Sequence, residues 1–254
     1  MRVLVTRPQP GAARTAEGLS RLGHDAVLMP LFEATVTARL DDLPPVADIS
    51  GLIATSARAF DMFEDMDVAA AGLADVRVHA VGTATAQAAR DAGFEHIHEA
   101  GGTAQALAQD LTGDQVGSLT GSRGSNRSGQ RTRLVYLAGV PRTAVIEASL
   151  RAYDTDLTVV ECYKMSEISY STDILKSDIL SPAPDVILLY STNAARRFRV
   201  LIDVKYVGNP LEYSRFLCFS AAIAAELPQE WQSRVIVAGR PDEDSLLASL
   251  AKLD

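Results

Sequence analysis

Cysteine is scarce: Cys162 and Cys218 are the only two in 254 residues. Both stand in apolar, strand-like stretches without CxxC or Cys/His spacing, which argues against a disulfide framework and against a zinc site, and both read as buried free thiols. Positive charge is also in deficit. Against 32 Asp and Glu there are 24 Lys and Arg, a net charge of -8 with pI near 5.1. A general nucleic-acid or membrane-surface partner demands a basic face, so neither is expected, although a local anion site is still permitted. No apolar run approaches the roughly 18 residues of a membrane span, and Met1-Arg2 runs directly into Val3-Leu4-Val5, too little for a signal-peptide core. The expected location is the cytoplasm. A P-loop, an HExxH and a complete GxGxxG are all missing.

What the chain does contain is an ordinary globular composition, 47% hydrophobic and 22% charged, at a length suited to one large or two small domains. Short β-branched or apolar runs at 3–6, 26–29, 51–54, 76–81, 134–137, 157–162, 186–190, 215–219 and 235–238 alternate with helix-like stretches, the pattern of parallel sheets with crossover helices. Ala12, Ala16, Leu19 and Leu22 recur at helical spacing, and Gly23 follows where a left-handed cap belongs. The segment 112–132, rich in Gly, Ser and Arg, reads as a solvated loop rather than an anion site, despite Arg123, Arg127 and Arg131.

The two halves also resemble each other. RVLVTRPQPGAARTAEGLSRLGHDAVLMPLFEAT pairs with RLVYLAGVPRTAVIEASLRAYDTDLTVVECYKM, each reading strand, turn, helix, strand. ADISGLIATSARAFDMF pairs with APDVILLYSTNAARRF, setting Ser56 opposite Ser191, and RVHAVGTATAQAA pairs with RFLCFSAAIAAEL, setting Gly82 opposite Ser220. AGGTAQALAQDL pairs with AGRPDEDSLLASL. The expected fold is therefore α/β with two similar domains, each a parallel sheet flanked by helices. Ligands of such sheets bind beyond the carboxyl ends of the strands, and a cleft between the domains is the natural site.

The order of short signatures resembles the uroporphyrinogen-III synthase family. Val3-Leu4-Val5-Thr6-Arg7-Pro8 matches the opening; Leu22-Gly23-His24, Pro30 with Glu33, and Thr55-Ser56-Ala57 follow in family order. Val81-Gly82-Thr83-Ala84-Thr85-Ala86 with Ala92-Gly93-Phe94 is the most recognisable stretch. In the second half the matches are Tyr136-Leu137-Ala138-Gly139, Val160-Glu161-Cys162-Tyr163 and Leu189-Tyr190-Ser191-Thr192-Asn193. One departure stands out: the family's second Gly-x-Thr-Thr turn is here Ser220-Ala221-Ala222-Ile223, which puts a hydroxyl contact from that turn in doubt. The resemblance implies residues 1–35 with 166–254 as one discontinuous domain and 36–165 as the other, joined by a two-stranded antiparallel linker. The duplication itself fits two sequential domains equally well.

The resemblance further implies cyclisation of hydroxymethylbilane, four pyrroles with eight carboxylates and one leaving hydroxyl, by a monomer that uses no cofactor or metal. Water leaves to give an azafulvene, the substituted carbon of the last pyrrole attacks to form a spiro intermediate, and ring D is inverted. Strand-to-helix turns supply N–H groups and helix-dipole ends suited to carboxylates. The candidate binding residues are accordingly Arg7, Thr55, Ser56, Ala57, Gly82, Thr83, Ala84, Thr85, Gly139, Ser191, Thr192, Asn193, Ser220 and Ala221. Any of the hydroxyls also reads as a plain helix cap. Tyr163 is the candidate proton donor to the departing oxygen; its alternative is a packed strand tyrosine with a wet hydroxyl. His24 and His79 read as structural, and His96 and His98 share one face of a strand with no third ligand nearby. Two other functions fit the same features: a two-domain binder of anionic ligands, or a synthase homologue without activity.

Overall fold

Runs of β-branched and apolar residues become strands here because both of their faces are covered by helices, which makes continuous hydrophobicity, not alternation with polar residues, the mark of each strand. A computed structural model describes residues 1–112, 133–152, 155–205, 211–240, 242–251 and 253. Nearly all of the loop expected at 112–132 lies outside the described residues. In chain order the strands are β1 Arg2–Val5, β2 Asp25–Leu28, β3 Phe32–Val36, β4 Ile49–Ala54, β5 Val78–Ala80, β6 Ile97–Glu99, β7 Arg133–Val140, β8 Leu157–Glu167, β9 Val186–Leu189, β10 Arg215–Cys218 and β11 Val235–Val237. The helices used below are α1 Gly11–Arg21, α2 Thr83–Asp91, α3 Ala104–Thr112, α4 Val145–Arg151, α5 Thr192–Lys205, α6 Ala221–Ala224 and α7 Glu243–Leu250. By its contacts the chain divides into unit one, Met1–Glu33 with Ser166–Asp254, and unit two, Ala34–Met165.

Unit one is a parallel five-stranded sheet in the order β11-β10-β9-β1-β2. Leu4, Ile187, Leu189, Phe216 and Cys218 pack on one face, and Val3, Val5, Val186, Leu188 and Leu217 on the other. The strand period of two thus feeds two separate core layers from one set of strands. α1 buries Ala12, Thr15 and Leu19, and ends at Gly23, whose φ of 78° is the left-handed cap conformation that a side chain resists.

Unit two has the order β3-β8-β7-β4-β5-β6, in which β8-β7-β4-β5-β6 are parallel. Leu52, Ala54, Val135, Leu137 and Val160 enter one core layer, and Ile53, Leu134, Tyr136 and Ala138 the other. The Thr37 N–H donates to the Cys162 carbonyl and the Ile168 N–H to that of Leu31, so positions rise along β3 as they fall along β8. Those two strands are antiparallel and carry the chain from one unit into the other. Laid out by the repeat, β2-β1-β9-β10-β11 corresponds to β8-β7-β4-β5-β6: the same strand order, entered at a different strand. In both, successive connections turn opposite ways at the middle of the sheet, between β1 and β9 in unit one and between β7 and β4 in unit two. Such a reversal opens a crevice at the carboxyl ends of the strands.

Both thiols are buried, and burial pushes each pKa up to about 12, so neither is a ready thiolate. His24 and His79 are buried as well. His98 lies in β6 and pairs with His79 of β5, whereas His96 precedes that strand.

Candidate functional site

The carboxyl edge of unit two carries most of the residues singled out from sequence. β4 ends at Ala54, and the chain turns through Thr55 and Ser56 into a helical turn at Ala57–Phe63; the Ser56 hydroxyl accepts from the Arg58 N–H at 3.3 Å, so it acts there as a cap. β5 leads to Gly82, the residue before α2, while Thr83 and Ala84 are exposed in its first turn. The Thr83 hydroxyl donates to the Glu99 carboxylate at 2.5 Å. Thr85 is only 4% exposed and lies within α2, not on its surface.

A register shift in β7 and β8 sets the rest. Ala138 pairs with Glu161 but Gly139 with Tyr163, so Cys162 is an extra residue on β8. A bulge of this kind re-aims the side chain that follows it. Here it brings Tyr163 opposite Gly139, where the phenol ring occupies the space that a Cβ on Gly139 would need. Glycine is therefore required at 139 for close approach, not for an unusual backbone angle.

Around that contact is a cavity of about 170 Å³ lined by Thr55, Tyr136, Gly139, Pro141, Arg142, Ile146 and Tyr163, among others. It sits at the reversal between β7 and β4. Its size admits one ring or one side chain of a large ligand, not four pyrroles. The Thr55 and Tyr136 hydroxyls are 3.0 Å apart at its wall. Burial pushes the Tyr136 pKa up, so at neutral pH it keeps its proton. The Arg142 guanidinium binds two carboxylates, Glu147 at 2.7 Å and Glu161 at 2.8 Å. These two partners raise its pKa further, and together the three groups carry one net negative charge.

Sequence reading missed Tyr136 and Arg142 as part of this cavity. Tyr136 was named only within its strand and is 2% exposed, but a phenol in an apolar strand is itself a signal that a partner lies at its tip. Arg142 follows Pro141 just beyond β7, a place comparable to that of Arg7 beyond β1.

At the carboxyl edge of unit one the same reversal is filled. Arg7 pairs with Glu243 at 2.6 Å and lies 4.7 Å over the Tyr190 ring, and Thr15 donates to the same Glu243 carboxylate at 2.6 Å. Burial, followed by the Glu243 charge, raises the Tyr190 pKa. Beyond β9 the exposed Ser191 caps α5, accepting from the Ala194 N–H at 3.1 Å, with Thr192 and Asn193 in the first turn. Ser220 precedes α6 in the extended conformation that Gly82 has before α2, and its hydroxyl makes no capping bond; Ala221 opens the four-residue α6. The departure from glycine thus leaves the backbone of that turn intact. Within each unit the candidates gather on one edge: Thr55 to Thr85 with Gly139 and Tyr163 in unit two, and Arg7 with Ser191 to Asn193, Ser220 and Ala221 in unit one.

The family model for uroporphyrinogen-III synthase HemD matches residues 13–248. The chain belongs to the uroporphyrinogen-III synthase HemD family. Members are cyclising lyases of porphyrin biosynthesis with hydroxymethylbilane as substrate. Among solved structures, the uroporphyrinogen-III synthetase of Helicobacter pylori superposes with a TM-score of 0.61 at 15% identity, covering 100% of both chains. A mutant uroporphyrinogen III synthase of Thermus thermophilus gives 0.60 at 15% identity over 99% of this chain and 98% of its own. At such identities these two show a shared two-domain α/β fold. Comparison with curated proteins returned no significant match. Among the described residues no helix is long and apolar enough to cross a membrane, and no three His, Cys, Asp or Glu side chains form a group able to hold a metal ion.

Proposed function

We propose that this family member closes hydroxymethylbilane at the carboxyl edge of unit two, with Tyr163 as the proton donor to the departing hydroxyl. One observation carries the reading: the β8 bulge and the bare Cα of Gly139 together seat the Tyr163 phenol at the rim of a ring-sized cavity. The C–O bond breaks with its electron pair on oxygen, which takes the phenol proton and leaves as water. The pyrrole nitrogen lone pair fills the resulting gap, forming the azafulvene cation. After the last pyrrole has attacked and the rings have rearomatised, the proton released from carbon returns to the phenolate, so the net loss is one water. The net negative charge of Arg142 with Glu147 and Glu161 favours a cation beside it over a further carboxylate. Orientation of the flexible chain supplies much of the remaining acceleration.

In unit two the turns at Ser56 and Thr83, and in unit one those at Ser191 to Asn193 and at Ser220, each offer N–H groups and hydroxyls of the kind that carboxylates accept. Arg7, already paired with Glu243, acts instead in holding unit one together. The enzyme works as a monomer, as its family resemblance suggests, and in the cytoplasm. Sedimentation velocity at micromolar concentration tests the first, and fractionation of the native cells the second.

The deciding experiment supplies hydroxymethylbilane, made in situ, to the purified protein and separates the oxidised type I and type III isomers. Spontaneous closure gives type I. Type III is expected from the wild type, and Tyr163→Phe should lower the rate about 100-fold. Type I alone from the wild type would remove the reading.

A further inference from the structure

Among the hydroxyls at the cavity wall, those of Tyr136 and Thr55 have no part in the reaction as drawn so far. Tyr136 sits in the middle of the sheet, with Ile53 of β4 as its register partner, and packs in the same core layer as Leu107, Ile146 and Leu150. Phenylalanine would fill that layer as well and would spare the cost of burying a hydroxyl. The hydroxyl instead meets Thr55 Oγ1 at 3.0 Å, just past the end of β4, and both residues line the cavity that Tyr163 covers.

Two hydroxyls joined by one hydrogen bond hold two protons and use one of them between themselves. The geometry admits either atom as donor; with the phenol, the stronger acid, donating, Thr55 Oγ1 accepts. The threonine proton is then turned away from Tyr136, toward the cavity. Resting on the function proposed above, we infer that Tyr136 is a positioning residue for the cyclisation: it holds Thr55 so that the threonine hydroxyl donates to an oxygen of the substrate ring lying against Tyr163. The acceptor is the departing hydroxyl of that ring, since the net negative charge of Arg142 with Glu147 and Glu161 disfavours a carboxylate in the same cavity. The ring that carries the departing hydroxyl is thereby held for attack by the last pyrrole, and whatever a slowed enzyme leaves unclosed cyclises spontaneously to type I.

The test uses the full chain with hydroxymethylbilane generated in situ, and compares Tyr136→Phe, Thr55→Val, their double variant and Thr55→Ser. Tyr136→Phe and Thr55→Val are each expected to lower kcat about tenfold with KM within about twofold, the loss of one directed hydrogen bond, and to raise the share of type I product. The double variant should be no worse than Thr55→Val, because Tyr136 acts only through Thr55, and Thr55→Ser should retain activity. Thermal melting recorded alongside separates this from a packing defect. If Tyr136→Phe does not fold, Thr55→Val, whose site is the surface turn, carries the same comparison. An active wild type with a Tyr136→Phe variant of unchanged rate and isomer ratio, or losses that multiply in the double variant, overturns the positioning role alone. A wild type giving only type I overturns the function on which it rests.

Discussion

At the strand reversal of unit one, Arg7, Glu243, Thr15 and Tyr190 fill the space with an ion pair, a hydroxyl and a ring. At the matching reversal of unit two there is a cavity, walled by two phenols, two threonines and a guanidinium already claimed by two carboxylates, among others. The strands beneath are in the same order in both. Sheet geometry constrains residues that must pair and pack on two faces, so duplication preserves them. The loops beyond the carboxyl ends answer to neither demand and are free to diverge. One copy has become a structural knot and the other the candidate site.

The largest expected effect tests the open side of that contrast. Gly139→Ala puts a methyl group where the Tyr163 ring lies, and moving that ring should cost about 100-fold in turnover, with a small change in melting. A variant of near-normal rate would show that the ring position is unimportant.

On the filled side the expected loss is stability. Arg7→Met or Glu243→Met alone should cost about 2 kcal/mol in urea unfolding, because each leaves a mostly buried charge without its partner, while the double variant should cost less than the sum. If Arg7→Met chiefly raises KM with stability unchanged, the arginine serves substrate and the two edges are more alike than the geometry suggests.

A comparable effect depends on pH. Burial, then the neighbouring His98 and Arg77 charges, lowers the His79 pKa from 6.5 to about 4. Between those values the unfolded chain binds a proton that the folded chain does not, so stability falls as pH drops from 6.5 toward 4. The full loss is about 3 kcal/mol below both pKa values. His79→Leu should remove that part of the slope in urea titrations at pH 7 and pH 4.5, and an unaltered slope would assign it to carboxylates instead.

The smallest effects separate the two serines. Ser191→Ala should cost about 1 kcal/mol, since its hydroxyl caps α5, whereas Ser220→Gly should change stability by only a few tenths, since its hydroxyl caps nothing. Equal losses would mean that the turn before α6 holds more than its backbone.

Much of the architecture was legible because it follows from repetition and periodicity. The apolar runs at 3–6 and 186–190 became β1 and β9, and the Gly23 cap ended α1, since local chemistry settles both. Other strands were longer than their apolar cores suggested. β7 runs on through Gly139 and β8 through Lys164 to Glu167, because ladder hydrogen bonds do not require hydrophobic side chains at every position. Of the site, the turns could be named in advance but not their contents. Arg7 was named as a ligand for carboxylates, and the carboxylate it meets within the fold is that of Glu243, 236 positions away. Thr85 looked like an open hydroxyl until α2 buried it.

The sequence by itself determined the α/β class, the duplication and the family's order of signatures, all of which are written in short segments or in their recurrence. Only the tertiary structure decided which reversal is open and which is filled, that Cys162 is the extra residue which sets Tyr163 over Gly139, and that Tyr136 meets Thr55 across two strands. Those facts depend on register and contacts between segments 24 to 236 residues apart, and a one-residue shift in pairing is decided by the packing of both faces of the sheet, not by any stretch of chain taken alone.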